Sequence, residues 1–224
     1  MPAFDTDSAV DLRWLGRVDY EPTWRRMQLL TEESTAETPE EIWFLEHPPV
    51  FTMGMNAKVE HLLAPGDIPV VNIDRGGEVT FHGPGQLVVY PLIDLQRHRL
   101  GVRTLVEGIE RAVIETVAQW GIEARGDRNA PGVYAQGRKL ASIGLRIKRG
   151  RSYHGLSLNV AMDLEPFRRI NPCGYAGLEM TQVGDLGGPA DVESVAAALA
   201  PRLLESLGLR QSATSTWRQD VSAA

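Results

Sequence analysis

The chain is poor in the residues that several common chemistries require. Only one of its 224 residues is cysteine, Cys173, which excludes an internal disulfide and a thiolate-built zinc site. There are five histidines, but no H-E-x-x-H pair or other metal-ligand spacing, so no metal is expected. There is no G-x-x-x-x-G-K-[ST], and no G-x-G-x-x-G sits between a strand and a helix, so neither common nucleotide cradle is present. No apolar run reaches membrane-spanning length, and no membrane contact is expected. The opening residues, MPAFDTDSAVDLRW, are acidic and lack the basic and apolar parts of a signal peptide, which points to the cytoplasm. A net charge of −6 argues against general nucleic-acid binding. Repeats, low-complexity tracts and linkers are absent.

What is present is an ordinary globular composition, 43% apolar and 23% charged, long enough to bury a good core. The expected layout is one domain over residues 11–209, with a flexible stretch at 1–10 and a mobile tail at 210–224. Strands are expected at Leu12–Val18, Glu41–His47, Val50–Met53, Lys139–Ile147 and Tyr153–Val160. Tyr20–Ser34 reads as a helix with Tyr20, Trp24, Met27 and Leu30 on its core stripe. Val102–Trp120 is a second helix, with Leu105, Ile109, Val113 and Val117 buried. Val192–Leu207 is the last helix, interrupted or kinked at Pro201. Helices and strands mix without strict alternation, so the class is α+β.

One stretch stands apart. RGGEVTFHGPGQLVVYPLIDL, from Arg75 to Leu95, crowds glycines between strand-like residues. Glycine admits positive φ and close approach of a ligand. A plain hairpin needs only one turn and few glycines. A strand, a glycine turn and a second strand make a cradle of backbone N–H groups suited to an anionic or carbonyl-bearing ligand. Arg75, Thr80, His82 and Gln86 supply its polar side chains.

Cys173 lies in INPCGYAG, a turn that would present the thiol at a loop apex. A thiol is mostly protonated at neutral pH and needs a neighbouring cation or base. Lys139, in GRKLASIGLRI, is the best candidate, because a desolvated lysine loses its proton more readily. Taken by itself, as a strand-end residue, it reads first as a surface lysine. Among the histidines, His82 is placed in the site, His47 and His154 near it or as structural residues, and His61 and His98 on the surface. The basic run Arg138, Lys139, Arg146, Lys148, Arg149 and Arg151, with Arg168 and Arg169, reads as a solvated hairpin tip or as a docking patch for an acidic protein.

Four motifs fall in order along the chain: EHPPVFTMG at 46–54, the glycine hairpin, GRKLASIGLRI at 137–147 and INPCGYAGLEMTQV at 170–183. YHGLSLNV at 153–160 is a weaker fifth. Together these resemble the lipoyl(octanoyl) transferases, a family of the lipoate- and biotin-protein ligase superfamily, and the resemblance runs from about Leu12 to Leu207. It implies a single domain with a mainly antiparallel sheet flanked by helices. It also implies transfer of an octanoyl group from acyl carrier protein to a lysine of lipoyl-domain proteins. The expected acceptors are the lipoyl domains of 2-oxo acid dehydrogenase complexes and the glycine cleavage H protein. The family's acyl-thioester cysteine and its activating lysine fall on Cys173 and Lys139. Its substrate-binding positions fall on Arg75, Gly76, Gly77, Glu78, Val79, Thr80, Phe81 and His82, on Ser142, Ile143 and Gly144, and on Gly155, Leu156 and Ser157. A thioester already carries activation, so no cofactor is implied.

Two other readings are open from sequence. An ATP-dependent lipoate or biotin ligase on the same fold would activate a free acid and need no cysteine. A non-catalytic acyl-carrier-binding protein would form no covalent intermediate. Acyl length is not fixed either, since each buried CH₂ is worth only about 0.8 kcal/mol.

Overall fold

The computed structural model describes residues 9–35, 37–127, 130–212 and 218–219. The chain runs β1 (Ala9–Arg17), α1 (Tyr20–Glu33), β2 (Glu40–Glu46), β3 (Val50–Met53), β4 (Val70–Asn72), β5 (Val79–His82) and β6 (Gln86–Leu92). It continues with α2 (Val102–Ala118), β7 (Ala124–Gly126), β8 (Gly132–Ala135), β9 (Arg138–Lys148), β10 (Arg151–Asn159) and α3 (Val192–Leu207), then the short β11 (Arg210–Gln211) and β12 (Arg218–Gln219). The main sheet has the order β11-β1-β2-β6-β10-β9-β8-β7, with β12 also on β1; β4, β3 and β5 form a small second sheet. From β2 to β7 every pairing in the main sheet is antiparallel, whereas β1 pairs parallel to its neighbours.

Side-chain alternation divides the core. Ile42, Phe44, Leu87 and Val89 face one side of the main sheet, where α2 and α3 cover them. Trp43, Leu45, Val88 and Tyr90 face the other, against Met27 of α1. This is the period-2 arrangement that a strand imposes. The α2 stripe lies where the periodicity put it: Leu105, Ile109, Val113 and Val117 are all buried, and complete burial of such side chains contributes about 1.5–3 kcal/mol each. α3 is capped at its start by Asp191, whose carboxylate accepts from the Ser194 N–H at 2.7 Å, and ends on left-handed Gly208. It runs as one element through Pro201, without the interruption its sequence suggested. β1 opens at Ala9, and Ala9 and Val10 pair with Arg210 and Gln211, so the first residues of the expected tail and the last of the expected N-terminal stretch are paired backbone.

Two surface expectations change. The His98 ring packs against the buried carboxylate of Glu40, which also accepts the Asp94 N–H, so His98 is a structural residue. In the basic run, Arg151 is buried, and Lys148 and Arg149 hold the side chain and the carbonyl of Glu32. The tip of the β9–β10 hairpin therefore clasps the C-terminal end of α1, where cations suit the helix dipole.

Candidate active site

The glycine hairpin folds over the β9–β10 pair. Gly76 donates its N–H to Leu145 O at 2.9 Å, which pins the Arg75–Glu78 turn to β9. The approach is close enough to require glycine beneath it, because a Cβ at Gly144 would lie 3.0 Å from both Arg75 Cδ and Gly76 O. The Arg75 guanidinium is itself fixed by Thr52, donating to its carbonyl at 2.9 Å and its hydroxyl at 3.0 Å. Between hairpin and strands lies a cavity of about 370 Å³. Residues of both sheets line it, and Cys173 stands on its wall.

Cys173 sits in a 3₁₀ turn over Pro172–Gly174 with φ of 57°. A non-glycine residue rarely adopts that left-handed conformation. The turn is held from behind: the backbone of Lys139 donates to Glu179 O at 2.8 Å, and Thr181 N–H donates to Lys139 O at 2.9 Å. The segment after Cys173 thus runs beside the start of β9. As a result Lys139 Nζ lies 2.9 Å from Cys173 Sγ, across 34 residues of sequence. Lys139 is fully buried and Cys173 half-buried. Burial alone would lower the lysine, but the adjacent Cys173 sulfur and, after it, the Tyr134 phenol together outweigh it, so the ammonium is held above the ordinary lysine value. The readiness to lose its proton expected from desolvation is reversed in this state.

A second polar cluster lies in the same cavity wall and behind it. His47 Nδ1 donates to Val18 O at 2.7 Å, which leaves Nε2 to accept from the Tyr90 hydroxyl at 2.9 Å. His82 Nδ1 donates to Gln86 Oε1 at 2.7 Å, because the Gln86 amide nitrogen already faces Phe81 O and Asn159 Oδ1. Tyr20 stacks on His82 with ring centroids 5.6 Å apart. Burial pushes His47 down to about 4 and His82 to about 3, and it raises the Tyr20 and Tyr90 phenols. Asp74 ties the cluster to α1 and β10. Its carboxylate accepts from Trp24 Nε1 at 2.8 Å, His154 Nε2 at 3.0 Å, Gln28 Nε2 at 3.2 Å and the Tyr153 hydroxyl. Although partial burial opposes it, these donors hold Asp74 well below the usual carboxylate range.

Of the positions named from sequence, Arg75–Thr80, His82, Ser142–Gly144, Gly155–Ser157, Lys139 and Cys173 all line the cavity. Phe81 does not. Strand alternation turns it away from Thr80 and His82, into a satellite core with Phe51 and Phe167. His154 lines the cavity, and His47 stands behind it. Sequence reasoning missed Tyr20, Tyr90 and Tyr175, which also line the cavity, and Asp74 behind them. Tyr20 was hidden in a helix stripe that also serves the core; Asp74 had only its place beside Arg75 as a signal. Among the described residues no group of His, Cys, Asp and Glu could hold a metal, and no helix is long and apolar enough to cross a membrane.

Comparison with known proteins gives a consistent result. Residues 19–204 match the lipoyl protein ligase A/B catalytic domain. The octanoyltransferase of Laribacter hongkongensis (strain HLHK9) is 60% identical over 203 residues, covering 91% of this chain and 98% of that one. The octanoyltransferase of Stutzerimonas stutzeri (strain A1501) is 57% identical over 205 residues, covering 92% of this chain and 94% of the relative. Among solved structures, lipoate-protein ligase A bound with ATP superposes with a TM-score of 0.74 at 15% identity, over 94% of this chain and 90% of that one. That last likeness establishes the fold and nothing finer.

Proposed function

The chain belongs to the lipoyl protein ligase A/B catalytic-domain family, within its octanoyltransferase branch, and from that premise we propose how it works: it moves an octanoyl group from acyl carrier protein to a lysine of lipoyl-domain proteins, through a thioester on Cys173. The observation that carries the mechanism is the 2.9 Å contact between Lys139 Nζ and Cys173 Sγ at a cavity walled by the glycine hairpin. An ATP-dependent ligase needs no such pair. The relatives at 55–60% identity are octanoyltransferases, whereas ligase structures such as lipoate-protein ligase A and biotin protein ligase are only 14–16% identical.

The chemistry follows from the pair. The reacting form has an ammonium at Lys139 and a thiolate at Cys173. The thiolate attacks the carbonyl of the carrier's thioester; the C–S bond to the carrier breaks, and the leaving thiolate takes a proton from Lys139. Acylation removes the negative sulfur that had held the ammonium up. Burial then dominates, and Lys139 is left as a neutral amine. The acceptor's neutral lysine amine attacks the Cys173 thioester, passes its proton to Lys139, and Cys173 departs as thiolate. The starting state is restored without metal or ATP. Dividing the transfer lets two macromolecular substrates use one site in turn.

The glycine hairpin, Ser142–Gly144 and Gly155–Ser157 bind the acyl-thioester. The Gly76 N–H is already committed to Leu145 O, so it does not serve the oxyanion. The deciding experiment is intact-protein mass spectrometry after mixing with octanoyl-carrier protein. A gain of one octanoyl group, absent in Cys173→Ala and discharged by a lipoyl domain, is expected. Octanoate-dependent release of pyrophosphate from ATP without an adduct would instead establish the ligase reading, and carrier binding with neither would establish the scaffold one.

A further inference from the structure

We infer that Tyr134 is a positioning residue for the Lys139–Cys173 pair, its aromatic face holding the Lys139 ammonium against the cysteine sulfur. The inference rests on the roles proposed above for those two residues.

Lys139 is fully buried, so its ammonium has lost its water. An ammonium has three donors, and Cys173 Sγ takes one of them at 2.9 Å. The Tyr134 ring stands 5.2 Å from Nζ at its centroid, within the range where a ring quadrupole attracts a cation, an attraction that grows when the cation is desolvated. The ring does not drift, because its hydroxyl donates to Ala130 O at 2.9 Å. β8 prepares the lysine's path as well. A Cβ at Gly132 would lie 2.8 Å from Lys139 Cε, so only glycine leaves room for the stem there. Glu110 fixes that glycine by accepting its N–H at 2.9 Å. One short strand therefore supplies both the gap for the stem and the face for the head. A buried lysine with only the sulfur as partner would be free to swing away from it, or to release its proton before substrate arrives. The ring blocks both.

The test uses the full chain, whose single cysteine makes the ultraviolet absorbance of the thiolate assignable. Its pH titration is compared in wild type, Tyr134→Phe, Tyr134→Leu and a version with trifluorophenylalanine at 134, which keeps the ring's shape but withdraws its quadrupole. The Phe variant is expected to titrate like wild type. The Leu variant should carry roughly tenfold less thiolate below its midpoint, and the fluorinated ring should fall between. Octanoyl loading should decline in the same order. Should Tyr134→Leu fail to fold, the Phe and trifluorophenylalanine pair decides alone. A fluorinated ring that titrates like Phe would overturn the inference and reduce the ring to packing. So would a Phe variant that behaves like Leu, since the hydroxyl anchor would then be the active feature. Lys139→Ala separates this from the parent reading: an unchanged thiolate titration there would sink the Cys173–Lys139 pair itself, whatever Tyr134 does.

Discussion

Lys139 and His82 are buried polar side chains of one cavity, and burial has treated them in opposite ways. Lys139 keeps its charge, because a sulfur lies 2.9 Å from its nitrogen and lifts it against desolvation. His82 gives its charge up, because its own partner is the neutral Gln86 amide and burial takes it to about 3. His47, Tyr90 and Tyr20 follow His82. The reactive end thus keeps an ammonium beside the Cys173 sulfur, while the histidines and tyrosines of the sealed end are neutral dipoles, flanked by the Arg75 guanidinium and the Asp74 carboxylate. Desolvation is common to both; the adjacent sulfur tips the balance for Lys139, whereas for His154 burial prevails even beside the Asp74 carboxylate. A charge pair prepares covalent chemistry, and neutral dipoles hold a wall in shape.

The sharpest break in that contrast comes from removing either member of the pair. Cys173→Ala should form no acyl adduct and transfer nothing. Lys139→Ala should lose on the order of 10³-fold or more in transfer and label slowly with iodoacetamide, and the double variant should be little worse than either single one, since members of a catalytic unit are not additive. Rates of octanoyl transfer to a lipoyl domain, with adduct mass as a second readout, check all three. A Lys139→Ala enzyme at wild-type speed would mean that the charge pair is incidental.

Gly144→Ala tests the wall between the two ends. Its Cβ would lie 3.0 Å from Arg75 Cδ and Gly76 O, so the hairpin must lift from β9 and misplace the thioester. A displacement of that order costs about 10²-fold in rate. Circular dichroism should show a folded protein with a slowed loading step. Full activity would make the glycine cradle a turn and nothing more.

The sealed end predicts acid sensitivity. His47 and His82 titrate near 4 and 3 when folded, against about 6.5 unfolded. Their folded values are depressed, so the unfolded chain binds more protons between these limits. Their contribution is fully present above pH 6.5 and is lost as pH falls through about 4 toward 3. Denaturant titrations at pH 7 and pH 4.5 should differ by a few kcal/mol. Replacing His82 with Gln should shrink that difference, and an equal drop in wild type and variant would assign the acid sensitivity elsewhere.

Much of this was legible from sequence. The α2 stripe was readable because 3.6-residue periodicity is a local property. The glycine hairpin was readable because glycine density reports backbone demand. Lys139 and Cys173 were readable as types, each needing the other, but their contact depends on backbone bonds from Glu179 and Thr181, which no local pattern records. Phe81 was misjudged because a motif was taken as a block, where a strand sends alternate residues to opposite faces. Asp74 and Tyr134 stayed hidden because their roles are defined by partners on other elements: His154 and Tyr153 across the sheet, and Lys139 on the next strand. Lys148 and Arg149 lie at an exposed hairpin tip as expected, but the carboxylate and carbonyl they hold belong to α1, which no local pattern records.

The smallest expected effect comes from that last clasp, and it sharpens the comparison by holding chemistry constant. Lys148 with Glu32 is, like Lys139 with Cys173, a lysine ammonium against an acceptor side chain. Its side chains are 43% and 50% exposed, so water competes for both charges and salt screens them. Exposed pairs of this kind contribute about 0.2–1 kcal/mol. Lys148→Ala should therefore change stability by no more than about 1 kcal/mol, an effect fading in high salt, and octanoyl transfer should be untouched if the hairpin tip only clasps α1. A loss of carrier affinity that grows as salt is lowered would show that the tip also docks the acidic carrier protein. A large, salt-independent loss of stability would be the damaging result: an exposed lysine pair would then behave like a buried one, and desolvation could not be what distinguishes Lys139.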